Sequence, residues 1–161
     1  DWMDGVGENR FAPDGTLSRA MLVTILYRME DQPAVTATSP FSDVDSQAWY
    51  ADAVSWASEQ GIVQGMTAST FRPNDALTRE QLATLLLRYA QFRQYDTSGT
   101  ADLSAYSDAG AIRAYAMPAM QWAVAAELLS GRSDTALCAQ SSATRAEAAA
   151  VIMRFAEQFP S

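Results

Sequence analysis

Three arginines stand where a guanidinium could do chemistry. Arg19, Arg79 and Arg145 close the triplets Leu-Ser-Arg (17–19), Leu-Thr-Arg (77–79) and Ala-Thr-Arg (143–145), and each opens an apolar run. A guanidinium is a planar fork of donors that matches a carboxylate. The hydroxyl residue before it reads as a helix N-cap: Thr78 with Gln81, and Thr144 with Glu147, have the spacing of a capping box. Ser18 can also cap, but Met21 holds the third position, so the reciprocal bond is expected to be lost there. A cation at the first helical position faces the positive end of the helix dipole, which costs roughly 0.3 kcal/mol or more unless an anion is close. Two sources of that anion stay open. It is an Asp of the same repeat, a ligand held by the guanidinium and an exposed helix N-terminus, or both together.

Other chemistries find less support. The chain has no histidine, which excludes a His-based zinc site and a Ser-His-Asp triad. Its single cysteine, Cys138, can form no intrachain disulfide and has no histidine to activate it. Asp43, Asp45 and Asp75 do not have EF-hand spacing. Gly5-x-Gly7 and Gly61-x-x-x-Gly65 lack the Gly-Lys-Ser/Thr of a phosphate loop. No catalytic residue, metal or cofactor is therefore assigned. A formal charge of −8 and a pI near 4.4 argue against nucleic acid. No apolar run reaches the roughly 20 residues of a membrane span.

Apolar periodicity positions the arginines on helices. Helices are expected at about 18–30, 48–60, 78–93, from near Pro118, and at 144–158. Leu22, Ile25, Leu26 and Met29 form the inward stripe of the first, and Ala148, Val151, Ile152 and Phe155 that of the last. Trp56 and Trp122 lie on apolar stripes and read as core. Trp49, at a helix start, suits a sugar platform or a lid over the junction, and Trp2 suits connector packing. The register then repeats. Arg19 and Arg79, Gly5 and Gly65, Phe11 and Phe71, and Pro13 and Pro73 are 60 residues apart. Arg79 and Arg145, Trp56 and Trp122, and Gly65 and Gly131 are 66 apart. Such regularity signals one architecture used repeatedly. The expected fold is all-α: tandem helix-loop-helix repeats packed as a pseudo-threefold helical body. Residues 1–32 supply the second half of a first repeat, 41–93 a complete second and 106–159 a degenerate third. The helix missing from the first repeat is expected to leave an apolar flank open to self-association.

The ordered set Phe41-x-Asp43-Val44, Trp49-Tyr50-Ala51, Gly61-Ile62-Val63-x-Gly65, Phe71-x-Pro73 and Leu77-Thr78-Arg79-Glu80-Gln81 resembles the S-layer homology domain. The resemblance covers almost the whole chain. It implies an extracellular module of the bacterial cell surface or S-layer. Such a module anchors an exported protein without covalent bonds by gripping secondary cell-wall polysaccharide, often through a pyruvate ketal on an amino sugar, or by gripping peptidoglycan. It implies ligand roles for Arg79 above all, and for Arg19, Arg145, Asp43, Trp49, Gly65 and Thr78. The third copy departs from the pattern: it lacks Phe-x-Pro, Glu127 replaces the glycine matched by Gly61, and Ala114 or Tyr115 stands where Trp49 would. The alternative is a packing module whose arginines only tie repeats together. On the binding alternative, Arg79→Ala is expected to remove most affinity, by about 1.5–3 kcal/mol, at little cost in stability.

Overall fold

The computed structural model describes residues 15–160. The expectations placed on Trp2, Gly5, Phe11 and Pro13 lie outside that range. The fold is all-helical: α1 (Arg19–Met29), α2 (Ala51–Glu59), α3 (Arg79–Phe92), α4 (Met117–Ala125) and α5 (Arg145–Gln158), with short 3₁₀ turns at Ala109–Ala111 and Ala114–Ala116. Among the described residues there is no strand, only isolated bridges pairing Thr16 with Thr144, Ser18 with Ala76 and Thr78 with Ser142.

The caps set the helix starts. Thr78 Oγ1 accepts from Gln81 N at 3.2 Å while Gln81 Oε1 accepts from Thr78 N at 2.9 Å. Thr144 and Glu147 exchange the same pair of bonds at 3.0 and 3.1 Å. The first copy corrects the expectation from sequence. Ser18 N donates to Met21 Sδ at 3.5 Å, so the thioether, a weak acceptor, completes the box that its lack of oxygen seemed to forbid.

One helix start moves. The helix expected from residue 48 begins at Ala51, because Asp45 folds the preceding chain into a turn. Its Oδ1 accepts from Gln47 N at 2.9 Å and its carbonyl from Ala48 N at 2.9 Å. That turn leaves Trp49 and Tyr50 outside the helix. Gly61 ends α2 at φ +73°; Glu127 takes the corresponding left-handed conformation at φ +57° after α4, where a side chain is strained.

Contacts divide the described chain into two compact units, 17–76 and 15–16 with 77–160. In the first, α1 packs on α2; in the second, α3 packs on α4 and on the turn Ala114–Ala116. Helix pairs are thus offset from sequence repeats: the opening helix of one repeat lies on the closing helix of the repeat before it. Leu22, Leu26, Val54 and Trp56 are buried in the first unit, with the Trp56 ring 5.6 Å from Tyr27. Leu82, Leu86, Trp122, Val151, Ile152 and Phe155 are buried in the second, where Phe155 meets Tyr89 at 5.6 Å. Met29 is only half-buried. Both stripe tryptophans are core, because aromatic area of that size stabilises most when removed from water.

Gly65 and Gly131 are required for a different reason than Gly61. A Cβ on Gly65 would lie 2.3 Å from Thr67 O, 2.5 Å from Phe41 Cε1 and 2.6 Å from Thr70 O; one on Gly131 would lie 2.4 Å from Ser133 O. A Cβ on Gly61 would meet nothing within 4 Å. Gly65→Ala is therefore expected to cost about 2–3 kcal/mol through overlap with main-chain oxygens, and Gly61→Ala about 1 kcal/mol through its positive φ alone. Urea midpoints of the two variants check this, and equal losses would contradict it.

Candidate functional site

The helix starts are occupied by the chain itself. At α1, Arg19 N donates to Asp75 O at 3.0 Å and Ala20 N to Pro73 O at 2.9 Å. At α3, Arg79 N donates to Ser141 O at 2.9 Å and Glu80 N to Ala139 O at 2.8 Å. At α5, Arg145 N donates to Gly15 O at 2.8 Å. At α1 and α3 the next N–H goes to the capping hydroxyl, from Met21 N to Ser18 Oγ and from Gln81 N to Thr78 Oγ1, so the donors that a helix-terminus anion site needs are already used at these two helices.

The arginine side chains turn into the fold. Arg79 is 3% exposed; its Nε donates to Leu137 O at 3.0 Å, its Nη2 to Ser130 O, and its Nη1 to Glu147 Oε2. Arg19 repeats the pattern one register earlier. Its Nε donates to Phe71 O at 2.9 Å and its Nη2 to Gln64 O at 3.0 Å, with the guanidinium 4.7 Å from the centre of the Phe71 ring. Arg145 is buried as well. The anion paired with Arg79 is internal, Glu147 of the next repeat and not an Asp of the same repeat.

Asp43 does something sequence reasoning missed. Its two oxygens accept from Phe71 N and Arg72 N, both at 2.8 Å. Asp108 does the same with Leu137 N and Cys138 N at 2.9 Å. The second residue of each pair is left-handed, Arg72 at φ +60° and Cys138 at φ +53°. One carboxylate holds two successive N–H groups and so fixes a strained turn. Ser42 and Ser107 add bonds from N and Oγ to the carbonyls of Ser69 and Thr135. The clamp and the arginine converge: Asp43 holds the N–H of Phe71 and Arg19 holds its carbonyl, as Asp108 and Arg79 hold Leu137. These N–H bonds keep both aspartates below the ordinary carboxylate range against the opposing effect of desolvation, the larger single influence on Asp43. The near-equal spacing of Asp43 to Phe71, 28 residues, and Asp108 to Leu137, 29 residues, was the available signal.

The second unit carries a charge hub. Glu147 accepts from Arg79 and also from Arg132, through Nη2 at 2.7 Å and Nε at 3.3 Å. Desolvation alone would raise the Glu147 pKa, but the Arg132 hydrogen bond, the Thr144 N–H and the charges of both arginines bring it down to about 2. Burial pulls the Arg79 guanidinium below its usual value, with Glu147 opposing. At the matching register of repeat two stand Gln81 and Met66, both uncharged.

Sequence-predicted residues thus fall into two groups. Arg19, Asp43 and Gly65 surround the Phe71 loop in the first unit; Thr78 and Arg79 belong to the second, as does Arg145. What remains open is aromatic. Trp49 is 64% exposed and packs edge-on against Tyr50 with centroids 5.1 Å apart, and Tyr115, its counterpart one register on, is 50% exposed. Among the described residues no group of three His, Cys, Asp or Glu side chains is placed to hold a metal, and no helix is long and apolar enough to cross a membrane.

The fold and site define a class of tandem helical repeat module with carboxylate-clamped loops and buried arginines at its helix starts. The S-layer homology domain model matches residues 40–83 and 105–149, more than half of the chain, and the chain belongs to that family. It is 30% identical over 157 residues to an amylopullulanase of Thermoanaerobacterium thermosulfurigenes, covering 97% of this chain and 8% of that protein. It is 32% identical over 158 residues to the surface-layer 125 kDa protein of Lysinibacillus sphaericus, covering 96% and 13%. It is 24% identical over 163 residues to a cellulosome-anchoring protein of Acetivibrio thermocellus, covering 99% and 36%. The chain therefore spans a minor part of each relative. The family's role is anchoring at the cell envelope, outside the cell, rather than catalysis.

Two expectations follow. Arg79→Ala is expected to destabilise the fold by about 3 kcal/mol or more, since it leaves Glu147 without its buried partner and two carbonyls without a donor; this revises the small cost expected from sequence. The Glu147 carboxyl has a folded-state pKa of about 2 against an ordinary 4.5, so its contribution is complete above about pH 4.5 and is lost as pH falls towards 2. Glu147→Gln should flatten that fall in a series of urea midpoints between those pH values. An unchanged slope would show that Glu147 is not held by the arginines.

Proposed function

We propose that this chain anchors a larger exported protein by binding secondary cell-wall polysaccharide, an anionic or pyruvylated sugar being the preferred ligand. The observation that carries this is the pair of exposed aromatic side chains, Trp49 and Tyr115, at equivalent positions of successive repeats in an envelope-anchoring family. A large exposed aromatic face offers apolar area for stacking, and the apolar C–H face of a pyranose is a suitable partner. Arg19, Arg79 and Arg145, with Thr78, Asp43 and Gly65, then serve as the rigid backing that fixes the loops around the sugar. The repeats, 1–32, 41–93 and 106–159, are proposed to close as a threefold array. Support comes from the N–H-to-carbonyl pairing that recurs at the starts of α1, α3 and α5. Peptidoglycan is the second ligand to test, and self-association through the first repeat accompanies the same scheme.

Co-sedimentation with Gram-positive cell walls, before and after chemical removal of the secondary polymer, tests this directly. Binding is expected with intact walls and not with stripped ones. Retention on stripped walls would transfer the ligand to peptidoglycan, and absence from both would favour a packing module. Trp49→Ala and Tyr115→Ala should each weaken binding roughly two- to tenfold while leaving the thermal midpoint unchanged, because neither ring is in the core.

A further inference from the structure

The polysaccharide-binding function proposed above leaves open which side chain reads a sugar carboxylate. Arg79 is poorly disposed to do so: each of its three nitrogens already donates within the chain, and the side chain is enclosed. Arg132 differs on each count. Its side chain is 37% exposed. Its Nε and Nη2 are committed to Glu147 and to Ser142 O, the latter at 2.8 Å. Its Nη1 has no hydrogen-bond partner among the described residues. The backbone is fixed too: Arg132 N donates to Ala136 O at 2.9 Å, and the preceding Gly131 sits where no side chain fits, with its Cβ position 3.0 Å from the Tyr106 ring.

A guanidinium held at two nitrogens and open at the third has lost most of its rotamer freedom before a ligand arrives, which favours a charge-assisted contact. We propose that Arg132 is the anion-reading residue of the second unit, donating from Nη1 to the carboxylate of an acid-bearing sugar while Glu147 and Ser142 hold it in place. The register places Met66 at this position in the first unit, half exposed and uncharged. The two units are therefore unequal: the Arg132 loop selects an acidic sugar, and the Met66 loop has no charge with which to select one. The motif arginines support loops; this residue, outside any motif, reads charge.

The test uses the full chain and two probes, an amino-sugar glycoside bearing a pyruvate ketal and the methyl ester of the same compound, titrated by NMR. Wild type should prefer the acid, and Arg132→Met should lose that preference by roughly tenfold while keeping its affinity for the ester; the stability lost with the Glu147 pair is read separately from the thermal midpoint and does not enter the acid-to-ester ratio. Wild-type preference for the acid that survives in Arg132→Met would overturn the assignment and leave polysaccharide binding standing. Equal wild-type affinity for acid and ester would also overturn it, by removing the charge readout. Failure of wild type to bind either probe or intact cell walls would instead defeat the polysaccharide reading, and this assignment with it.

Discussion

A buried arginine donating to main-chain carbonyls is the contact on which the rest depends. Arg19 grips the carbonyls of Phe71 and Gln64, and Arg79 those of Leu137 and Ser130. An aspartate grips the N–H groups of the same loop from the other side. Without these side chains the loops would present unpaired polar groups where water is excluded, at about 1–3 kcal/mol each. The loops in turn supply the carbonyls that receive the first N–H groups of the helices. Helix starts, loop geometry and charge placement therefore form one connected system, and loss of a single guanidinium is felt in all three.

Much of this was legible before any coordinates. The capped starts of α3 and α5, the burial of Trp56 and Trp122 and the inward stripe of α5 follow from spacing, because side chains one helical turn apart must share a face. The start of α2 did not follow, since one Asx turn at Asp45 outweighed a helical pattern that periodicity alone extends backwards. Met21 was misjudged because residue type suggested no acceptor, whereas a thioether sulfur can stand in for one.

At the candidate site, sequence identified the arginines as special but could not say which way they point. A guanidinium that pairs with carbonyls leaves no mark on the partner's side chain, so Gln64, Ser130 and Leu137 carry no signal of their role. Glu147 was visible as a capping residue but not as a counterion, because its second and third partners come from 68 and 15 residues away. Arg132 escaped notice since repetition draws attention to what recurs, and this residue is where two copies differ.

The offset between helix pairs and sequence repeats has a consequence for how such arrays change over time. Helix α1 receives α2 as α3 receives α4, and α1 and α3 are the closing helices of successive repeats. A crossover between genes at equivalent points of two repeats would therefore join half of one pair to the corresponding half of another. Copies can be exchanged without redesigning a core. Because the loop grips act on backbone atoms, the exchanged segments can also diverge in side chain, as Phe71-Arg72-Pro73 and Leu137-Cys138-Ala139 have. Recombination is thus free to shuffle what the surface displays while the frame that displays it persists.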